Sequence, residues 1–345
     1  MTKSTNTLNA TSDIALLICT YNPEKRIFLR VLKALEALEI PEDTKLDCII
    51  VDNNSAASVG EMACVKKFLS KCDWAKVITE YQQGLTFARI AGIKSTTAPI
   101  IIFIDDDNET AADYIKVAKH YLNTHSCVAV WGPGKVTVEF LDPVSDWFAK
   151  NFRANFQERN CKYAEYGRVM AGWTHFYPFG TGQVVKREVL EKYYQAVEAG
   201  KLASTDRKGS NLSSAGDIQV VWEAVKMGFA AGTSPELKIT HLIPGKRSNL
   251  HYVMRLNFGT ASSYMPALVE SFPSEKEKAL EYIPSNIKIL QDIFNKTMRY
   301  LPQLKYKVLL FELAGYIGNV VGVLRATRCD ERRWIYKLAN LLKLE

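Results

Sequence analysis

The chain of 345 residues has no CxxC pair, no Walker A sequence and no GxGxxG after a strand-like run. Nor does any stretch reach the roughly 18 uncharged apolar residues that span a bilayer. Each absence removes a class of function. Seven cysteines stand singly at 19, 48, 64, 72, 127, 161 and 329, so zinc and CxxC redox chemistry are disfavoured and buried free thiols are expected. A P-loop hydrolase or a glycine-cradle dinucleotide reader is disfavoured too, and any phosphate must be held by other means. The opening "MTKSTNTLNATSD" is polar where a signal peptide would carry an apolar segment. The expected address is therefore the cytoplasm, or the inner face of the cytoplasmic membrane. There is no internal repeat and no low-complexity tract.

What is present is an ordinary globular composition, 47% hydrophobic and 23% charged, in a chain long enough for one large domain and an appendage. The net charge of +7 is unevenly placed. Residues 237 to 345 hold 17 Lys and Arg against 9 Asp and Glu, and the remainder is close to neutral. Clustered arginines such as "RATRCDERRW" (325 to 334) suit an anionic membrane face or a phosphate-bearing substrate as well as a solvated surface. No nucleic-acid-binding motif accompanies the charge, so no nucleic acid partner is expected.

The first hundred residues alternate short β-rich runs with helical patterns. Strands are expected at 14 to 20, 46 to 53, 75 to 80 and 99 to 105, with helices near 24 to 39, 58 to 72 and 84 to 96. This alternation predicts an α/β fold, a mostly parallel sheet with helices on both faces. In such sheets ligands bind beyond the carboxyl ends of the strands. The polar clusters "TYNPEKR", "DNNS" and "DDDN" fall there.

Asp and Asn are also favoured turn and cap residues, and capping alone accounts for "DNNS". The run "FIDDDN" asks for more. One capping acid would suffice, and a second and third add repulsion unless water or a cation separates them. Hard divalent ions such as Mg2+ or Mn2+ bridge a couple of carboxylates to substrate phosphates.

The ordered set "ICTYN" (18 to 22), "IIVDNNS" (49 to 55), "GLTFARIAGI" (84 to 93), "FIDDD" (103 to 107) and "AGDIQVVWEAVKMGFAAGTSPELKITHLIPGKR" (215 to 247) resembles the family 2 glycosyltransferases. These are inverting enzymes of the GT-A fold, which is Rossmann-like. The resemblance runs from residue 14 to about 255. It implies a donor pocket formed by Thr20, Tyr21 and Asp52 with Arg89 in the segment lining it, and a metal held by Asp105 and Asp107. It further implies Asp106 beside the donor sugar, Asp217 as catalytic base, His241 on the metal and Arg247 on the diphosphate. The implied cofactor is Mn2+ or Mg2+. The implied partners are a nucleotide diphosphate sugar, UDP-sugars favoured, and a glycan or lipid-linked acceptor. Two positions depart from the family: Gly216 stands where Glu often precedes the base, and Ile90 where Asn often follows "AR".

Taken without the family, Asp217 fits a helix N-cap and His241 a satisfied strand-end histidine. The scattered Ser and Cys residues form no nucleophile elbow, as a single displacement requires. Between the halves, residues 131 to 183 are rich in aromatics. Core packing is the commoner use of such residues, and Trp173 and His175 are the acceptor-side candidates. "GKLASTDRKGSNLSSAGD" (200 to 217) reads as a mobile polar loop delivering Asp217.

A catalytic unit over 1 to 248 and a helical region over 249 to 345 are expected, with helices near 249 to 271 and 275 to 297. The apolar run 308 to 324 contains Gly315, Gly318 and Gly322 and reads as a packed core helix, with a membrane-interface helix beside its basic neighbours as the alternative. Two other functions fit less of the pattern: a nucleotidyltransferase, and a nucleotide-sugar binding module without turnover.

Overall fold

A computed structural model describes residues 12–203, 206–207, 212–329 and 333–345. The polar opening segment up to residue 11, residues 204–205 and 208–211 of the 200–217 segment, and residues 330–332 of the arginine cluster lie outside the described residues.

Runs of Ile, Leu and Val bounded by Asp and Asn form the strands, because β-branched side chains suit a sheet buried on both faces. The chain opens β1 (Ile14–Thr20), α1 (Lys25–Glu36), β2 (Leu46–Asp52), α2 (Ala63–Leu69), β3 (Ala75–Thr79), α3 (Leu85–Lys94) and β4 (Ile100–Asp105). These four strands pair in parallel in the order β3, β2, β1, β4. Successive residues of β1 point to opposite faces. Ile14, Leu16 and Ile18 therefore meet α1 and α2, while Ala15 and Leu17 meet α3 on the other side.

Next come β5 (Asn108–Thr110), α4 (Tyr114–Thr124), β6 (Val128–Phe140), α5 (Asp146–Phe152), β7 (Arg159–Asn160), β8 (Glu165–Gly167), β9 (Val184–Lys186), α6 (Arg187–Glu198), α7 (Gly216–Lys226) and β10 (Ala230–Ile243). Short β9 runs antiparallel between β4 and β6, β10 lies parallel to β6, and β5 closes antiparallel on β10. The sheet is thus mostly parallel, with helices on both faces.

Helices follow β10: α8 (Leu250–Ser271), α9 (Glu275–Glu281), α10 (Asn286–Tyr300), α11 (Tyr306–Thr327) and α12 (Arg333–Leu341). The single helix expected over 275 to 297 is two, interrupted at Pro284, whose ring cannot continue a helix. α11 is long and apolar enough to cross a membrane by length and composition. In the fold it packs on α8. A Cβ on Gly318 would lie 2.6 Å from the Phe258 carbonyl oxygen, and one on Gly315 2.5 Å from Asn257 Nδ2. Small residues at this seam let the two backbones approach. The helices are tied to the sheet by Phe148, Phe152, Phe156 and Ile243 around Val253, and by Trp222 against Leu268 and Phe272.

Gly318→Val is expected to destabilise the protein by about 1–3 kcal/mol through overpacking against backbone that cannot move aside. Leu290→Ser on the outer face of α10 should stay within about 0.5 kcal/mol of wild type. Urea unfolding of the two variants checks the contrast.

Candidate active site

Register brings the polar strand ends together. Thr20 lies opposite Asp52, and Cys19 lies between Val51 and Asp105. Beyond β4 the chain turns through Asp106 and Asp107 into β5, whose Asn108 faces His241 of β10. A cavity of about 290 Å3 opens over this edge, lined by Thr20, Tyr21, the three aspartates, His241 and Arg247, with Asn53, Gln157, Thr181 and Arg207.

The three carboxylates are held differently. Asp105 accepts from the Thr181 hydroxyl at 3.2 Å. Asp106 accepts from the Thr20 hydroxyl. Burial and the neighbouring Asp107 charge push the Asp106 carboxyl up to about 6, against the opposing pull of Thr20 and Arg247. Asp107 pairs with the Arg247 guanidinium, and His241 Nε2 lies 3.5 Å from its Oδ2. Burial alone would raise Asp107, yet His241 and Arg247 outweigh it and hold this carboxyl well below the usual range.

His241 is oriented from behind. Its Nδ1 lies 2.8 Å from the Phe156 carbonyl oxygen. A carbonyl only accepts, so Nδ1 carries a proton, and Nε2 is the nitrogen that faces Asp107. A ring nitrogen facing a carboxylate has a proton or a metal ion to share with it, and an imidazole anchored through its other nitrogen is how metal-binding histidines are held. Among the described residues no three His, Cys, Asp or Glu side chains form a ready-made cluster. The donor set of one carboxylate and one imidazole beside further acids fits a hard divalent ion that completes its shell with phosphate and water. Cys19 also reaches the cavity, but burial pushes its thiol up to about 12, so it is no nucleophile at neutral pH.

A second cavity of about 370 Å3 adjoins the first, with Gln157, Arg207, His241, Arg247 and Tyr252 on the wall of both. Its lining is aromatic: Phe156, Trp173, Phe179, Tyr252 and Tyr264. Tyr252, Leu256, Thr260 and Tyr264 recur at helical spacing on one face of α8, which starts where the Asn249 side chain accepts from the Tyr252 N–H. Asp217 stands on this wall. Its Oδ2 accepts from Gly180 N at 3.0 Å and its Oδ1 from Ile218 N at 2.9 Å.

Asp217 does not cap α7. That task falls to Asp206, whose Oδ1 accepts from Ala215 N and Gly216 N at 2.9 and 2.7 Å, while its Oδ2 takes Arg89 Nη1 at 2.8 Å. Burial and the Asp206 charge raise the Asp217 carboxyl, and Arg89 with the two backbone N–H groups opposes them without cancelling them.

A model of the family "Glycosyl transferase family 2" matches residues 15–194, just over half of the chain. The chain belongs to glycosyl transferase family 2. It is 26% identical over 126 residues to the succinoglycan biosynthesis protein ExoM of Rhizobium meliloti (strain 1021), a match covering 36% of this chain and 40% of that protein. The chain thus spans about two fifths of the relative it matches. It also superposes on a mannosyltransferase, PcManGT of Pyrobaculum calidifontis in complex with GDP-Man and Mn2+, with a TM-score of 0.54 over 90% of this chain and 88% of that one at 15% identity. That likeness carries the fold, which is the GT-A arrangement expected of the family.

Of the positions that the sequence singles out, the structure gathers Thr20, Tyr21, Asp105, Asp106, Asp107, His241 and Arg247 around the first cavity, and Asp217 and Trp173 on the second. Three others lie elsewhere. Asp52 is buried beneath the edge, where its two oxygens accept from Ser55 N and Val59 N, so it shapes the loop after β2. Arg89 is buried against Asp206 and lies over the Phe103 ring. His175 is exposed beside Glu165 and lines neither cavity.

Asp206 and Arg207 do not stand out in the sequence because they sit within "GKLASTDRKGSNLSSAGD", whose composition is that of a solvated loop. The one available signal was a lone Asp-Arg pair ten residues before Gly216-Asp217. Asn53 does not stand out either. Its side chain donates to Glu80 O and Gln82 O and accepts from Gly84 N, fixing the turn before α3.

Since folding raises the Asp106 carboxyl, its ionised form is penalised in the folded state above about pH 6, and the penalty is gone below the ordinary carboxylate value. Asp106→Asn is therefore expected to be more stable than wild type by about 1–2 kcal/mol at pH 7.5. The gain should vanish as the pH falls toward about 4. Thermal melts across this range check it.

Proposed function

We propose that the chain is an inverting glycosyltransferase that moves a sugar from a nucleotide diphosphate sugar to a hydroxyl of a glycan or lipid-linked acceptor in the cytoplasm. The observation that carries this reading is the junction of the two cavities. One is lined by aspartates and arginines suited to a diphosphate, the other by aromatics around a single raised carboxylate, and they share a wall. Family membership supports glycosyl transfer, and ExoM's part in succinoglycan biosynthesis suggests a polysaccharide or its lipid-linked precursor as acceptor. In this reading residues 1 to 248 form the catalytic unit, and α8 of the helical region 249 to 345 walls the acceptor side.

In the proposed reaction the acceptor oxygen attacks the anomeric carbon from the face opposite the diphosphate. The bond to the phosphate oxygen breaks with its electron pair leaving on the diphosphate, and the acceptor proton passes to Asp217. A carboxylate raised by burial and by Asp206 is a stronger base than a solvated one. Arg247 and Arg207 stand where negative charge builds on the leaving group. A Mn2+ or Mg2+ ion, held by Asp107 and His241 with Asp105 beside them, would supply further positive charge there, in keeping with the Mn2+ complex of PcManGT. Asp106, fixed by Thr20, offers an acceptor to the donor sugar hydroxyls. Trp173 and the other rings of the second cavity give stacking faces for acceptor sugars and exclude water.

Asp217→Asn is expected to lower turnover by about 10²–10⁴-fold while leaving intact the thermal stabilisation by whichever UDP-, GDP- or dTDP-sugar the wild type binds with Mn2+. Transfer at the wild-type rate would refute the base assignment.

Asp217 must be ionised to act, so activity falls as pH drops through its pKa. In Asp206→Asn the neighbouring charge that raises this pKa is gone. The acid limb of kcat/KM is then expected to move to lower pH, measured on protein whose circular dichroism is unchanged. A limb that stays put or moves up would show that Asp206 does not set the basicity of Asp217.

A further inference from the structure

The outer face of α10 is unlike the rest of the surface. Ile287, Leu290, Phe294, Met298, Leu301 and Leu304 are all between 52% and 85% exposed. The first five recur at steps of three or four residues and therefore fall along one side of α10 and the turn that follows it. The only residue of α10 buried in the core is Ile289. Contiguous apolar side chains of this size on a surface mark a contact with something.

The charges around the stripe say with what. From 286 to 307 the chain carries Lys288, Lys296, Arg299, Lys305 and Lys307 against Asp292 alone. Lys288 is paired with Asp292 and Lys296 with Glu312. Arg299 and Lys305 have no acidic partner among the described residues and are exposed. Lys307 lies 5.1 Å from the Trp147 ring centroid, so an exposed aromatic sits at the border of the patch. A second copy of the chain docking by a two-fold axis would set this basic rim against itself. An apolar stripe between cationic side chains, edged by an indole, is the pattern of a helix lying in the headgroup region of an anionic bilayer.

We propose that α10 and the turn after it dock the protein on an anionic lipid surface. This surface is not the run for which the sequence offers a membrane-interface helix as the alternative. The apolar run 308 to 324 is occupied by packing on α8, and the stripe exposed in its place comes from the more polar segment before it. The face also adjoins the site. Lys288 and Asp292 line a groove of about 340 Å3 with Tyr264 and Tyr316, and Tyr264 stands on the wall of the aromatic cavity as well. A lipid-linked acceptor anchored beneath α10 meets that cavity across Tyr264. This last point rests on the function proposed above, whereas lipid docking does not.

The test is co-sedimentation of the full chain with vesicles of phosphatidylcholine alone or mixed with phosphatidylglycerol, beside the double variant L290E/F294E. The wild type is expected to bind the mixed vesicles at least about tenfold better than the neutral ones. The variant is expected to lose that binding while its melting temperature and its stabilisation by a UDP- or GDP-sugar stay those of the wild type.

No sedimentation of the wild type, equal binding to both vesicles, or binding unchanged in the variant would each overturn the proposal. So would light scattering that finds a dimer dissociated by L290E/F294E, which would assign the stripe to a second copy. Failure of every nucleotide sugar to stabilise the wild type would sink the donor reading and leave the vesicle result standing.

Discussion

Five carboxylates, Asp105, Asp106, Asp107, Asp206 and Asp217, are gathered at one edge of the sheet, and the arrangement around them follows from keeping their charges apart or matched. Arg247 and His241 meet Asp107, and Arg89 meets Asp206. Backbone N–H groups meet Asp217. Buried charges persist only when paired or hydrogen-bonded, and here the pairing is uneven. Asp107 is over-satisfied and held ionised, while Asp106 and Asp217 are left raised. In the proposed reaction this unevenness divides the labour: a firmly ionised group faces the cationic side and a basic one faces the acceptor.

Gly216 is where this division is built. An added Cβ there would lie 2.3 Å from Asp206 Oδ2. The family's usual Glu and this chain's Asp206 therefore compete for one space. With glycine in place, a carboxylate from the preceding segment reaches the start of α7, caps it and engages Arg89. Gly180 makes the complementary concession, since a Cβ there would lie 3.1 Å from Asp217 Cβ and 3.3 Å from Arg89 Nη2. Where the family often has Glu before the base, this chain thus has a glycine with the Asp206 carboxylate packed against it.

The parallel direction of β1, β2 and β4 was readable because each strand is a dense apolar run ending at a polar cluster, from Thr20, Asp52 and Asp105 onward, and period and composition agree there. The gathering of Thr20 and Asp105 to Asp107 followed from strand ends alone. Asp52 shows the limit. A strand-tip aspartate that faces a ligand and one that ties its own loop have the same local sequence, and only the positions of Ser55 N and Val59 N separate them. Asp206 was illegible for the opposite reason. Its surroundings are polar and its partners, Arg89 and Gly216, are 117 and 10 residues away. The division of 275 to 297 at Pro284 was within reach of the sequence, and helical periodicity on both sides concealed it.

The C-terminal helices are the least family-like part of the chain, yet they bear on the site from two directions. One face of α8 walls the aromatic cavity and another receives the glycine seam of α11, so the wall is held by a helix that is itself braced. Bracing of this kind consumes the most apolar segment, since the seam buries Gly315, Ile317, Gly318, Val321 and Gly322. The run 308 to 324 is thus a packed helix, as its first reading from the sequence has it, and the exposed apolar face belongs to α10. α10 is left outside with a basic, half-apolar face because, among the described residues, no strand or second helix layer covers it. The property that distinguishes a membrane-facing helix from a core helix here is the presence or absence of a packing partner, which is a tertiary fact and not a compositional one.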